Sequence, residues 1–131
     1  MSDRAVAIAK ADSIERCLNR VRELYADDPQ TRQDALVLNL LRACETVIDL
    51  GMHEVSKRRL GTPTTSRDAF ALLVDDGLLP PELGRTMSRM VGFRNLAVHQ
   101  YLKLDLGILV NVVEKNLPDF YRFLQALGLR K

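Results

Sequence analysis

Tryptophan is absent from this 131-residue sequence, which holds only two cysteines, two histidines and five prolines, and whose aromatic residues amount to 5%. Each scarcity excludes something. Two cysteines cannot build a dense disulfide framework, and Cys17 and Cys44 both fall on apolar helical stripes. They are expected to be small buried hydrophobes in a reducing compartment. The two histidines, His53 and His99, come without Cys-x-x-Cys or His-x-x-x-His spacing, so neither a metal site nor a cofactor is expected. No apolar run approaches the roughly 18 residues of a membrane span. The opening Met1-Ser2-Asp3-Arg4 lacks the basic flank, apolar block and cleavage site of a secretory signal, so the protein is expected to be cytoplasmic and away from membranes. The net charge of +2 is too small to announce nucleic-acid binding by itself.

What is present is a globular composition, 47% hydrophobic and 27% charged, which argues against disorder. Residues 1–131 are expected to form one domain, with about two thirds of the unfolded surface buried in a single core. Helical periodicity runs through almost every segment and strand alternation through none, predicting an all-α, up-down bundle of four to five helices. The first, about Ser2 to Tyr25, carries Ile14, Cys17, Leu18, Val21 and Leu24 at steps of three and four, and Asp27-Asp28-Pro29 ends it. The second, about Arg32 to Arg59, is apolar over more than half its circumference, through Leu36, Leu40, Leu41, Cys44, Val47, Ile48, Gly51 and Val55. So wide a stripe predicts a central helix or a contact with another subunit. Ser66 is a candidate N-cap for a short third helix stopped by Gly77. Pro80-Pro81-Glu82 reads as the start of a fourth, since proline is tolerated in a first turn. Asp105 is the expected cap of a last helix, about Leu106 to Leu127, in which Pro118 should kink or restart the run with Asn116 as a local cap.

The segment Gly92-Phe93-Arg94-Asn95-Leu96-Ala97-Val98-His99-Gln100-Tyr101 is the most informative, because it sets a guanidinium, an amide, an imidazole and a phenol in apolar surroundings. A core is built more cheaply from apolar side chains, since each unpartnered polar group taken from water costs about 1–3 kcal/mol. At 100° per residue, Leu83, Met87, Met90, Arg94 and Val98 fall within about 80° of one another. Three explanations for an arginine in that stripe stand open: an acid partner, with Glu45 and Asp49 as candidates; a loss of helical regularity near Gly92; or a stripe that lines an interface. Asn95 and His99 share another face with Arg85, Ser88, Arg89 and Gly92, a candidate groove. Arg94 lies about 140° around the helix from His99. Their convergence then needs the long arginine stem, a local break, or a second copy across a two-fold axis. An imidazole can take or give a proton near neutral pH, a guanidinium can hold a phosphate, and the amide can orient either. Tyr101 is placed beyond the helix end, with an accessible hydroxyl. Basic residues gather at Lys57-Arg58-Arg59 and at Arg85 and Arg89, each a solvated face or a phosphate-contacting surface.

Arg94-Asn95-Leu96-Ala97-Val98-His99-Gln100-Tyr101 resembles the Arg-x4-His-x-Tyr signature of HEPN-domain toxins, nearest to the HepT members paired with MNT-type minimal nucleotidyltransferase antitoxins. The resemblance extends to the five-helix layout and almost the whole chain. It implies a two-fold homodimer that cleaves RNA, transfer or messenger, without metal at a composite cleft. By it Arg94 and His99 become the catalytic pair and Asn95 a positioning residue; the helix faces themselves make Arg85, Arg89, Glu45 and Asp49 candidate RNA-binding or supporting groups. Tyr101 becomes the hydroxyl that the partner nucleotidyltransferase modifies with AMP, silencing a type VII toxin–antitoxin pair. Two other readings accompany it: a non-catalytic helical module that docks a nucleotidyltransferase, and a regulator in which Arg94 and His99 hold a nucleotide.

Overall fold

In a computed structural model, the structure describes residues 3–27 and 33–131. Among them, helices α1 (Asp3–Asp27), α2 (Gln33–Lys57), α3 (Ser66–Asp75), α4 (Pro81–His99), α5 (Leu106–Asn111) and α6 (Leu117–Ala126) follow one another, with no strand. A 3-10 turn, Tyr101–Lys103, follows α4, and a π-helical turn, Val112–Asn116, joins α5 to α6. The last expected helix is therefore one run with a widened middle. The expected boundaries at Ser2, Asp28-Pro29 and Arg32 lie outside the described residues.

The stripes read from the sequence form the core. Ile14, Leu18, Val21 and Leu24 of α1 are buried, as are Leu36, Leu40, Cys44, Val47, Gly51 and Val55 of α2. The breadth of the α2 stripe is explained by its place in the bundle, where it packs on α1, α3, α4 and α5. Phe70 of α3 meets Phe123 of α6 edge to face, with ring centroids 5.8 Å apart. Full burial of each of these rings contributes about 2–3 kcal/mol. A methyl group at Gly84 would stand 2.2 Å from Cγ2 of Val74, so α3 and α4 approach as closely as they do because residue 84 has no side chain.

Caps fix the helix ends. α3 is capped by Thr65 and not by Ser66: the Thr65 hydroxyl accepts from the amide of Asp68 at 3.3 Å, and the Asp68 carboxylate accepts from the amide of Thr65 at 3.2 Å. The reciprocal pair satisfies two otherwise orphaned donors, which a cap one residue later would not. Gly77, at φ 86°, ends this segment, and Pro81 opens α4 at its first position. Asp105 caps α5 by accepting from the amide of Ile108 at 2.9 Å. Asn116 precedes α6 but does not cap it; its amide donates instead to the Asp119 carboxylate at 3.2 Å. Pro118 lacks the N–H that would bond four residues back and its ring crowds that carbonyl, and the π turn just before it widens the helix to accommodate both.

No described helix is long and apolar enough to cross a membrane. Both cysteines are free, and burial pushes the Cys44 thiol up to about 12 and raises that of the half-buried Cys17.

Candidate functional site

The polar segment occupies the last two turns of α4 and the 3-10 turn after it. α4 is regular from Pro81 to His99, which removes a helical break at Gly92 as the explanation for Arg94. An acid partner is the one realised. Nε of Arg94 donates to Oε1 of Glu45 on α2 at 3.2 Å, and Nη1 donates to the side-chain oxygen of Asn95 at 3.0 Å. The stripe itself changes character along its length: Leu83, Met87 and Met90 are buried, Arg94 is half-buried, and Val98 is 45% exposed. Asp49, the second candidate partner, faces α1 and pairs with Lys10 at 3.6 Å. Four residues on, α2 has advanced about 6 Å and turned about 40°, and there the cation within reach is Lys10 of α1.

His99 is exposed in the last turn of α4, and among the described residues its ring has no hydrogen-bond partner. With α4 regular, Arg94 leans toward α2 while His99 points about 140° away into solvent. Within one copy of the chain the two side chains leave α4 on different sides. Tyr101 lies past the helix end, as the spacing predicts, and is 39% exposed. Its hydroxyl is not idle, however: it donates to Oδ1 of Asp34 in the first turn of α2. That bond to the carboxylate raises the phenol above its ordinary value, because it holds the proton on the neutral form.

The face expected to carry Arg85, Ser88, Arg89, Asn95 and His99 as one groove is divided. Arg85, Ser88 and Arg89 line an opening of about 460 Å³ with Ala71, Val74 and Asp75 of α3. Arg89 also donates to the hydroxyl of Thr86 at 3.2 Å. Asn95 and Arg94 instead line a groove of about 370 Å³ against the first turn of α3, with Thr65, Ser66 and Arg67. Nη2 of Arg67 lies so near α4 that a Cβ on Gly92 would come within 2.9 Å of it. A glycine inside a helix costs about 0.5–1 kcal/mol against alanine, and here the vacated volume admits a guanidinium.

Arg67 and Asp34 are the two site residues that sequence reasoning missed. Neither is near the motif in sequence, and only the mid-helix Gly92 signalled a close approach. The basic run Lys57-Arg58-Arg59 resolves differently. Arg58 is bound by Glu54 and Asp76, both at 3.0 Å, so at least that member ties α2 to the end of α3.

A family model described as ribonuclease HepT-like matches residues 7–127. The chain is 40% identical over 127 residues to the mRNA nuclease HepT of Shewanella oneidensis, an overlap of 93% of this chain and 96% of that one. A rebuilt and re-refined structure of the tri-AMPylated Shewanella oneidensis HEPN toxin in complex with MNT antitoxin is 40% identical and matches with a TM-score of 0.88 over 98% of both chains. A crystal structure of a toxin–antitoxin with AMP-PNP is 39% identical and matches at 0.89, covering 95% of this chain and 98% of that one.

Proposed function

This chain belongs to the ribonuclease HepT-like family, and from that premise we propose that it is the endoribonuclease toxin of a toxin–antitoxin pair, acting in the cytoplasm on RNA. Its partner is an MNT-type nucleotidyltransferase that silences it by adding AMP to Tyr101. The observation that carries this reading is the arrangement of α4: Arg94 oriented by Glu45, a bare and exposed imidazole at His99, and an exposed phenol two residues further on.

The chemistry needs little more. A ribose 2′-hydroxyl is an internal nucleophile already beside the phosphorus, so the reaction gains the advantage of a unimolecular step. His99 removes the 2′ proton, the 2′-oxygen bonds to phosphorus, and the bond to the 5′-oxygen breaks as that oxygen takes a proton. The products are a 2′,3′-cyclic phosphate and a 5′-hydroxyl, and no step requires a metal. Arg94 stabilises the extra negative charge on the phosphorane, with Nε fixed by Glu45 and Nη1 by Asn95 so that its remaining donors are aimed without reorganisation. Because Arg94 and His99 diverge on a regular helix, the working cleft is composite, with a homodimer bringing the guanidinium of one copy to the imidazole of the other.

Silencing follows from the place of Tyr101. The phenolic oxygen bonds to the α-phosphorus of a nucleoside triphosphate, pyrophosphate leaves, and the phenolic proton passes from the oxygen to Asp34 or to solvent. An anionic nucleotide then stands beside the cleft, where it repels and obstructs RNA. The Asp34 contact holds the phenol protonated until the partner engages it.

Arg94→Ala and His99→Ala, each expressed without the antitoxin, are expected to relieve growth arrest while remaining folded dimers. Cleavage in vitro should fall on the order of 10²–10⁴-fold for His99 and 10²–10³-fold for Arg94. Undiminished toxicity in both variants would remove the catalytic assignment. Intact-mass measurement of the chain produced with and without its partner, followed by peptide mapping, tests the modification of Tyr101.

A further inference from the structure

We propose that the groove between the start of α3 and the middle of α4 is a subsite for a second RNA phosphate, adjacent to the one cleaved, and that Arg67 is its phosphate-binding residue. The proposal rests on the reading of this chain as an RNA-cleaving enzyme and adds a residue that reading does not contain.

Four observations converge on it. The groove is lined by Thr65, Ser66, Arg67, Val91, Arg94 and Asn95, so a hydroxyl-bearing turn faces two guanidiniums and an amide. Arg67 is exposed and, among the described residues, has no carboxylate partner. Two acids that contact groove-lining residues have other partners, Asp68 the amides of Thr64 and Thr65 at 3.0 and 3.2 Å, and Glu45 the guanidinium of Arg94. Neither carboxylate is paired with Arg67, whose guanidinium donors stay free for an incoming anion. Finally, Gly92 lets Nη2 of Arg67 lie against α4, where any side chain at residue 92 would displace it. A guanidinium so placed presents the planar fork of donors that suits phosphate oxygens.

The same lining says what is bound. No aromatic side chain is present to stack on a base, and the donors are suited to oxygen anions, which is backbone recognition without sequence readout. Since Arg94 lines the same groove, an RNA strand whose scissile phosphate meets Arg94 carries a neighbouring phosphate to Arg67.

The test uses the full chain carrying His99→Ala, so that RNA stays intact, and a short single-stranded RNA oligonucleotide titrated at several salt concentrations. Adding Arg67→Ala is expected to weaken binding several-fold and to lower the slope of log affinity against log salt by about 0.7, the signature of one lost phosphate contact on a single strand. Arg67→Lys should restore the slope. With His99 intact, Arg67→Ala should raise KM several-fold with kcat almost unchanged, the pattern of lost uniform binding. Circular dichroism controls for folding. Cleavage of RNA by the chain with His99 intact, together with a salt slope that Arg67→Ala leaves unchanged, would overturn the subsite alone. AMP displacing RNA from the parent but not from Arg67→Ala would assign the groove to a nucleotide phosphate and also overturn it. A parent that neither binds nor cleaves RNA would overturn the subsite together with the function it rests on.

Discussion

Arg58 and Arg94 each reach from one helix region to another, yet their surroundings differ in a way that separates a fastener from a tool. Arg58 is enclosed by two carboxylates, donating from Nε to the buried Glu54 and from Nη1 to Asp76. Both contacts serve the protein, since Glu54 is buried and needs a cation to satisfy it. Arg94 meets one carboxylate, Glu45, and spends its other fixed contact on the neutral amide of Asn95. It is steered by that single pair, and the guanidinium of Arg67, which has no carboxylate partner among the described residues, lines the same groove. A guanidinium held by two carboxylates carries a local excess of negative charge that repels an anion. One held by a single carboxylate and a neutral amide does not, and its free donors can meet a phosphate.

Substitutions can break this contrast. The largest expected effect is on activity: Arg94→Ala should abolish most cleavage while its melting temperature stays within a few degrees of the parent, a combination that a merely structural ion pair could not give. Arg58→Ala should do the reverse. Leaving Glu54 buried without its partner is expected to cost about 1–3 kcal/mol in denaturant unfolding, with kcat/KM unchanged. Loss of activity in a fully stable Arg58→Ala variant would erase the distinction drawn here.

Smaller changes sharpen it. At Tyr101 a carboxylate faces a neutral phenol, so Asp34 raises the phenol above its ordinary value of about 10 by stabilising the protonated form. Asp34→Asn removes that preference, and alkaline titration of tyrosinate absorbance, with Tyr101→Phe as reference, should show this phenol ionising at lower pH. An unchanged titration would mean that the contact does not persist in solution. The smallest effect belongs to Asp49, whose exposed pair with Lys10 should contribute less than about 1 kcal/mol and nothing to cleavage.

Much of the scaffold was legible because burial of apolar stripes determines it. Ile14, Leu18, Val21 and Leu24 could face nowhere but inward, and the breadth of the α2 stripe already implied a central helix. Local chemistry was legible where it is short-range: Asp105 and its cap, Pro81 at a first turn, Gly77 at an end. The Thr65 cap was within reach too, since Thr65 and Asp68 have the spacing of a reciprocal box, but a neighbouring serine offered the same hydroxyl. The π turn was not, because a proline states that a helix must change and not how. In the motif, the spacing of Arg94, Asn95, His99 and Tyr101 marked the candidate site, and Glu45, beside the apolar face of the second helix, was legible as the acid that meets Arg94. Asp49 shows the limit of that argument, as one further turn faces a different neighbour. Asp34 and Arg67 were missed because each is a charged residue in the first turn of a helix, where it interrupts no apolar stripe, and only the packed bundle sets it against the motif.

The short 3-10 turn bearing Tyr101 contributes no buried side chain. A group attached to that phenol would therefore displace nothing from the interior. If Tyr101 is the modified residue, the fold would give up only an exposed contact to Asp34, and a dormant copy is expected to resist thermal unfolding nearly as well as an active one, a reserve that need not be destroyed and resynthesised.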